Sequence, residues 1–270
     1  MKYSFLLLLV SLLLLFSCTT PKKFARRFVK YTKGAKVALY IPDALIKKNM
    51  RIDVPEEVLD TIPEGNREEY LRSFVRVVDS INDEMFFSIL ISSFEESLKA
   101  YDLELCYWEN DTTMPDSLHW IVDIQRIEIQ ECTAMRTYAE FIYGQGYEYD
   151  CPFDYVNVAS WFELSNGITD DFVFTEHNYE STFNGGIYLN DKGLLSLDCS
   201  LDTISVSGFY RFAVALGKLY AGYCFDYFMN DNISKKCKIP FENIKKYRYD
   251  PYEYILYYDS KDGMIRIDEQ

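Results

Sequence analysis

The fold of this chain is decided by the stretch Leu118-His-Trp-Ile-Val-Asp-Ile-Gln-Arg-Ile-Glu-Ile129. Its first half places an apolar side chain at every second residue, which is typical of a strand with one buried face. After Ile124 the apolar side chains return at Ile127 and Ile129, one position out of phase. A β-bulge shifts the phase in this way, and so does a strand that crosses two packing environments.

Helical periodicity lies on both sides of these strands. We predict helices over about 66–81 and over 84–101, the second with Asp83 as its cap and a regular apolar stripe. A longer helix is predicted over about 207–229. Small residues recur in it every four positions, so another element can approach it closely there: Ala213, Gly217 and Ala221.

The remaining segments favour strands. The first covers residues 36–42, a turn is predicted at 150–154, and a final hairpin is predicted between 252–258 and 264–268. Helices and strands that occur in separate runs indicate the α+β class. We therefore expect a single α+β domain over residues 35–270, with a mainly antiparallel sheet, two helices in the N-terminal half and one long late helix.

The N-terminus has the layout of a secretory signal. Lys2 precedes an apolar run of about 14 residues, which is shorter than the roughly 17–25 that cross a bilayer. The run ends in Leu15-Phe16-Ser17-Cys18. A membrane anchor and a signal cut elsewhere, with Cys18 an ordinary thiol, are the alternatives.

The motif Leu15-Phe16-Ser17-Cys18 resembles the lipobox of bacterial lipoproteins. The resemblance implies a signal peptide over 1–17, cleavage before Cys18, and a diacylglycerol with further acylation, such as palmitate, on that residue. Thr19 is not the aspartate linked to inner-membrane retention. The resemblance therefore implies the outer membrane and its periplasmic face, with export to the cell surface as the alternative. The N-terminal half also resembles small periplasmic lipoproteins that assist outer-membrane assembly or transport.

The segment after Cys18 is strongly basic. Residues 19–38 carry seven basic side chains and no acidic one, whereas the whole chain has a net charge of −14. A basic tether over 18–34 would contact anionic membrane lipids; a solvated tether, or an arm folded back on the acidic domain, are the alternatives. The acidic body argues against nucleic acid as a partner. The seven are Lys22, Lys23, Arg26, Arg27, Lys30, Lys33 and Lys36.

Six cysteines follow Cys18 and allow 15 pairings, among which sequence does not choose. Proximity in the chain favours a disulfide between Cys224 and Cys237, and buried free thiols are the alternative. No CxxC is present, so the sequence indicates neither a zinc ribbon nor a redox motif.

Few residues suggest catalysis. The two histidines, His119 and His177, lack a Gly-x-Ser-x-Gly partner motif, and no HExxH, P-loop or GxGxxG is present. We predict no metal and no cofactor, because the segment 230–232 (Asn-Asp-Asn) lacks the rest of a calcium loop. Paired carboxylates occur in three places, where solvated surface charge is the default interpretation: Glu95-Glu96, Asp170-Asp171 and the group Glu148, Asp150 and Asp154.

The sequence thus favours a lipid-anchored, non-enzymatic envelope protein that binds a partner protein or envelope ligand through a tyrosine-rich, acidic face. The chain has 23 Tyr and 19 Phe. One alternative is a hydrolase acting on glycan or lipid, which predicts a deep pocket with two facing carboxylates, at least one with a raised pKa. The other is a carrier of an apolar molecule, which predicts a large cavity lined by Tyr and Phe.

Overall fold

A computed structural model describes residues 20–50, 56–72, 77–106, 118–142, 144–182, 186–189, 191–192, 195–198, 204–259 and 263–267. The helices in this part of the chain are α1 (Thr20–Tyr31), α2 (Glu56–Asp60), α3 (Arg67–Arg72), α4 (Asp83–Ala100) and α5 (Val206–Cys237). Short 3₁₀ turns lie at Glu64–Asn66, Val78–Ser80 and Phe241–Asn243. None of these described helices is long and apolar enough to cross a bilayer.

The strands are β1 (Lys36–Tyr40), β2 (Ile46–Asn49), β3 (Glu104–Cys106), β4 (Leu118–Ile142), β5 (Gln145–Ser165), β6 (Asp170–Glu180), β7 (Gly186–Leu189), β8 (Leu195–Asp198), β9 (Tyr247–Asp250), β10 (Ile255–Tyr258) and β11 (Ile265–Arg266). One sheet has the order β11-β6-β5-β4-β1-β3, and β2 also pairs with β4. The other two sheets are the hairpins β7–β8 and β9–β10. The predicted α+β class with a mainly antiparallel sheet and a long late helix is confirmed.

The long antiparallel pair β4–β5 is the centre of the main sheet. Its register shifts between Ile124 and Arg126, so that Gln125 is the extra residue. This is the bulge that the apolar phase predicts. Because of it, Ile127 and Ile129 lie on the same buried side as Ile124, and all three are at most 1% exposed.

Helix α5 lies across one face of the sheet, and α4 packs on α5. The hydroxyl of Ser160 on β5 lies 2.7 Å from that of Tyr220 on α5. A Cβ added at Gly217 would lie 2.5 Å from the carbonyl oxygen of Leu90 on α4. The small residues in α5 therefore mark the crossing of the two helices, as predicted, and Ser93 Oγ of α4 donates to the Val214 carbonyl there.

The basic segment is a helix over most of its length, where the sequence suggested a tether. Ala25 and Phe28 of α1 are buried, and the Phe28 ring stacks on Trp120 of β4 at 5.5 Å. Phe28 also meets Phe225 of α5 edge-on at 5.6 Å. The apolar residues at helical spacing therefore dock α1 on the core.

Three local predictions are wrong. β5 runs through 150–154 without a turn. Among the described residues only β4 pairs with β5 at Pro152, since the pairing with β6 begins at Tyr155, and a proline is tolerated at such an edge. β10 pairs with β9, and β11 pairs with β6, instead of forming a hairpin with each other. Asn82, and not Asp83, caps α4, since its side chain accepts from the Met85 N–H. Of the first predicted helix, 66–81, residues 73–76 lie outside the described part of the chain; α3 covers Arg67–Arg72, and Val78–Ser80 is 3₁₀.

The predicted disulfide between Cys224 and Cys237 is also wrong, because both cysteines are free. They lie on the same helix, where a separation of 13 residues corresponds to about 20 Å, and a disulfide needs Cα atoms within about 7 Å. Cys106 and Cys132 are free as well. Cys151 is disulfide-bonded.

Candidate functional site

The face of β4–β6 that points away from α5 carries the strongest concentration of polar and aromatic side chains in the sheet. We call it the open face. Residues on it alternate with core residues along each strand, so that Trp161 of β5 points outward while Phe162 is buried under Tyr220. Because the three strands are in register, the open-face side chains form rows across the sheet.

The first row is acidic. Asp123 of β4 lies directly opposite Glu163 of β5. The bulged residue Gln125 donates from Nε2 to both carboxylates, at 2.7 Å and 2.9 Å. Burial raises the pKa of Asp123. Burial also raises the pKa of Glu163, and the negative charges of Asp170 and Asp123 raise it further. Three carboxylates are thus held within Coulombic reach at one end of the open face.

The second row is aromatic. The guanidinium of Arg126 lies 4.9 Å from the centre of the Trp161 ring, and that ring is 5.0 Å from the ring of Phe174 on β6. Arg126 is also ion-paired with Glu128. On the acidic side of this row, Phe172 is 36% exposed. A cation over an aromatic face is stabilised by the ring quadrupole, so Arg126 and Trp161 hold each other in place.

Amides dominate the next rows. Asn157 of β5 donates from Nδ2 to Glu176 at 2.5 Å and to the side-chain oxygen of Asn178 at 2.9 Å, both on β6. On β4, Gln130 donates to Glu128 at 3.1 Å. The nearly buried Glu128 also accepts from Lys48 of β2 at 2.9 Å, so its charge is compensated.

The far end of the open face leads into the paired arm of β4 and β5. Arg136 pairs with Glu180 at 2.7 Å and lies 4.3 Å from the centre of the Phe153 ring. Phe153 in turn lies 5.7 Å from the ring of Tyr155. Further along the arm, Glu140 accepts from a backbone N–H of β7, which brings the β7–β8 hairpin against it.

The charges of the open face do not balance. Its two arginines are paired with Glu128 and Glu180. Four other carboxylates have no ion-pair partner among the described residues: Asp123, Glu163, Asp170 and Glu176. Chemically, these rows offer hydrogen-bond acceptors and negative charge beside aromatic rings, which suits a cationic or hydroxyl-bearing ligand that also presents a flat apolar surface.

Of the two histidines, only His177 has a described side chain. His177 is on β6 with its ring stacked on Tyr223 of α5 at 5.8 Å and its Nε2 3.1 Å from Thr175 Oγ1. Burial lowers its pKa. His119 is on β4, and its side chain lies outside the described residues.

The carboxylate groups singled out from the sequence mostly have local partners. Glu95 pairs with Lys99 one helical turn away. Asp170 and Asp171 face opposite sides of β6, and Asp171 pairs with Arg266 at 2.8 Å. Asp150 and Asp154 accept from threonine hydroxyls on β4, and Glu148 is exposed on the arm.

The segment 230–232 has a structural role. Asn230 is buried and exchanges hydrogen bonds with the backbone of Tyr247, which holds β9 against α5. Asp231 pairs with Lys235. Within the described residues no cluster of three or more His, Cys, Asp or Glu side chains could hold a metal.

Cys18, the predicted site of lipid attachment, lies outside the described residues. Of the seven basic residues, Lys33 pairs with Asp102 at 2.6 Å, and Lys36 begins β1. The other five lie on the outer side of α1 and are exposed.

Cavities in the described part of the chain bear on the two alternative functions. The largest has a volume of about 770 Å³, lies between α4 and the β1–β2 connection, and is open. Its lining includes four carboxylates, so it differs from the apolar cavity that a carrier needs. The carboxylate pair that most resembles a hydrolase site, Asp123 and Glu163, lies on the open face and lines none of the four described cavities.

Apart from Asp170, sequence reasoning missed the open-face residues, although the signal was present. It followed the apolar positions of β4 and gave no role to the polar ones between them, from Asp123 to Gln130. The same alternation that predicts a buried face also predicts that these side chains share the other face. What it does not predict is the row partner on β5, because Trp161 is 35 residues from Arg126.

Comparisons with known proteins give little. No family model matches the chain, and no curated protein matches it. Among solved structures, the chain is similar to a putative neuraminyllactose-binding hemagglutinin homolog from Helicobacter pylori. That similarity covers 76% of this chain and 91% of the other, at 9% identity and a TM-score of 0.31. A TM-score this low does not establish a shared fold.

Proposed function

We propose that this protein is a lipid-anchored, non-enzymatic envelope protein whose open face binds a basic partner. The observation that carries the proposal is the aromatic row of Arg126, Trp161 and Phe174, flanked by carboxylates that have no ion-pair partner among the described residues. Such a surface supplies contact area from the rings and orientation from the charges.

The proposed partner is a protein segment rich in Lys or Arg. Interfaces gain most of their affinity from a few aromatic and arginine side chains, and Trp161 lies near the middle of the open face. The exposed carboxylates around it would accelerate the encounter with a basic surface, and salt would weaken that effect.

The anchor is proposed from the sequence. Cys18 would carry the lipid, and the chain would sit on the periplasmic face of the outer membrane. Attachment through two or more acyl chains is stable, whereas one chain gives only marginal binding. Intact mass of the native protein and of Cys18→Ala tests this part: a lipid-sized addition that is lost in the variant supports it, and an unmodified native chain refutes it.

The open face is tested by partner capture from gently solubilised membranes. Two variants change it: Trp161→Ala removes the central ring, and Asp170→Lys reverses an exposed charge beside Glu163. The matched control is Glu96→Lys, which makes the same charge change at an exposed position of α4. We expect the native protein and the control to capture the same partner and both open-face variants to lose at least about tenfold of it. Equal capture by all four proteins, or no partner at all, would refute the proposal.

One observation favours a second candidate, glycan hydrolysis. Asp123 and Glu163 both have raised pKa values and are bridged by one amide, so their carboxyl groups are close enough for acid–base work on a glycosidic bond. Release of reducing ends from envelope glycan, abolished in Asp123→Asn and Glu163→Gln, would establish the enzyme. Full partner capture by both variants with no glycan release would leave the binding function alone.

A further inference from the structure

Helix α1 presents five cations that the fold does not use. Its apolar side packs against the core through Ala25 and Phe28. The cations lie on the remaining sides, and none of them forms an ion pair within the described residues. In a chain with a net charge of −14, a cluster of unpaired cations is the exception, and it marks a surface for anions. The five are Lys22, Lys23, Arg26, Arg27 and Lys30.

The β9–β10 hairpin beside α1 exposes apolar and aromatic side chains. Tyr252 and Tyr254, in the connection between the strands, are 68% and 78% exposed. Ile255, Tyr257 and Tyr258 follow on β10 and are also exposed. Tyrosine is enriched where a protein meets the headgroup layer of a bilayer, because its ring is apolar and its hydroxyl is wet.

A cleft joins these two features. It has a volume of about 420 Å³ and lies between α1 and the hairpin. Lys22 and Arg26 lie on the helix side, and Tyr249 and Tyr254 on the hairpin side. Three aliphatic side chains complete the lining: Val29, Ile255 and Leu256. Cations and hydroxyls beside an aliphatic surface match a phosphate headgroup and the first part of its acyl chains.

The backbone of Tyr254 provides an independent indication. Its φ is +56°, in the left-handed region that favours Gly or Asn. A bulky residue at this angle is unfavourable for folding. The Tyr254 side chain is 78% exposed at this unfavourable backbone angle, and a contact outside the domain gives such a side chain a role.

Nearby negative charge does not cancel the cations. Asp102 is paired with Lys33, and Asp250 accepts from the backbone N–H groups of Tyr252 and Glu253, which fixes the turn. Glu253 is the exposed carboxylate of that turn. Asp102 is exposed but neutralised by Lys33, so within the described residues the five cations face one exposed acid without an ion pair, Glu253. The open face, in contrast, is acidic and would be repelled by an anionic bilayer.

We propose that α1 and the β9–β10 hairpin form a second binding surface, which seats the domain directly on an anionic phospholipid bilayer with one headgroup phosphate in the cleft. Helix α1 begins two residues after Cys18, which corresponds to at most about 7 Å of chain. If Cys18 is lipidated, as proposed above, the surface lies against the membrane and turns the domain so that the open face points away from it.

Vesicle binding without the acyl chains tests this surface. The protein is the chain from residue 18 onward with Cys18→Ala, which contains the whole described fold, and the probe is co-flotation with vesicles of phosphatidylethanolamine and phosphatidylglycerol. We expect partition to fall about 100-fold for the triple variant Lys22→Gln, Arg26→Gln, Lys30→Gln. It should also fall on pure phosphatidylcholine and in high salt.

Two further variants separate binding from folding and from net charge. The control triple variant Arg211→Gln, Lys218→Gln, Lys236→Gln removes the same charge from exposed positions of α5 and should bind as the native chain does. Tyr254→Gly should bind several-fold more weakly although it unfolds at the same or a higher temperature, because glycine relieves the strain. Loss of binding in both triple variants alike, or no vesicle binding by the native chain, would overturn the proposal. Asp170→Lys should bind vesicles as the native chain does. Loss of partner capture by the open face and loss of vesicle binding by α1 and the hairpin can therefore be told apart.

Discussion

The two faces of the same three strands have opposite properties. On the covered face, Phe162 is 1% exposed and meets Tyr220 edge-on at 5.0 Å. On the open face, its chain neighbour Trp161 meets an arginine and another ring at the edge of solvent. One residue along a strand therefore changes a side chain from core to surface.

The difference between the faces separates stability from recognition. The covered face removes apolar area from water, which is the largest favourable contribution to folding. The open face holds charges and amides in hydrogen-bonded networks. Glu128 and Asn157 within them are buried, whereas an exposed ion pair such as Arg136–Glu180 contributes little to stability. Substitutions on the covered face should therefore affect the free energy of unfolding, and those on the open face should affect binding.

The largest effect is expected from truncating the two neighbours on β5. Phe162→Ala should lower the free energy of unfolding by about 3–5 kcal/mol, since it opens a cavity under α5. Trp161→Ala should lower it by much less and still lose partner capture. Urea denaturation of both variants measures the contrast, and equal destabilisation would show that the open face is part of the core.

The next largest effect is a pH dependence of stability, and it comes from a carboxylate on the helix side of the sheet. Asp226 of α5 accepts from the Tyr249 N–H at 3.0 Å, and burial raises its pKa to about 8. The folded chain thus keeps a proton that the unfolded chain releases above about pH 4. Stability from this group is fully present below that pH and decreases as pH rises toward 8.

Asp226→Asn should remove that dependence while keeping an acceptor for Tyr249. Between pH 5 and pH 7 the native chain should lose about 2–3 kcal/mol relative to the variant, measured by denaturation at each pH. Parallel pH profiles for the two proteins would mean that Asp226 is ionised in the folded state.

A smaller effect is expected where α5 crosses α4. Gly217→Ala should destabilise by about 2 kcal/mol, because the new Cβ meets the Leu90 carbonyl and the Cβ of Ser93 and pushes the helices apart. Gly222→Ala is the matched control in the same helix: its Cβ meets a side-chain hydroxyl, that of Tyr101 at 3.0 Å, and no backbone atom of another helix. Thermal unfolding should show the first variant below the native protein and the second at or above it.

The smallest change in stability is expected from removing a single hydrogen bond on each face of the sheet. Ser160→Ala leaves the Tyr220 hydroxyl buried without that partner, so we expect a loss of about 1–1.5 kcal/mol. Asn178→Ala removes an exposed acceptor of Asn157 on the open face and should change stability by less than about 0.5 kcal/mol. Similar losses in both variants would contradict the division of the two faces.

Local periodicity explains what could be predicted. The phase slip after Ile124 located the bulge, and the small residues around Gly217 located the helix crossing, because both patterns reflect contacts of one element with its neighbours. The amphipathic pattern of α1 was also present in the sequence. We interpreted this segment from its basic residues alone, as a tether, and did not predict that Phe28 is a core residue.

Local periodicity does not predict contacts between residues that are distant in the chain. Nothing in the sequence pairs β11 with β6 in place of β10, or sets Trp161 beside Arg126. Proximity in sequence was misleading for Cys224 and Cys237, since a helix holds close neighbours at a fixed distance.

The sequence by itself determined the α+β class, the change of apolar phase after Ile124 and the buried side in the first half of β4, because these follow from the spacing of apolar residues. The tertiary structure decided which polar side chains meet. The carboxylate row of Asp123 and Glu163 and the cleft between α1 and the β9–β10 hairpin both join residues far apart in the chain, and only strand register and helix docking bring them within reach.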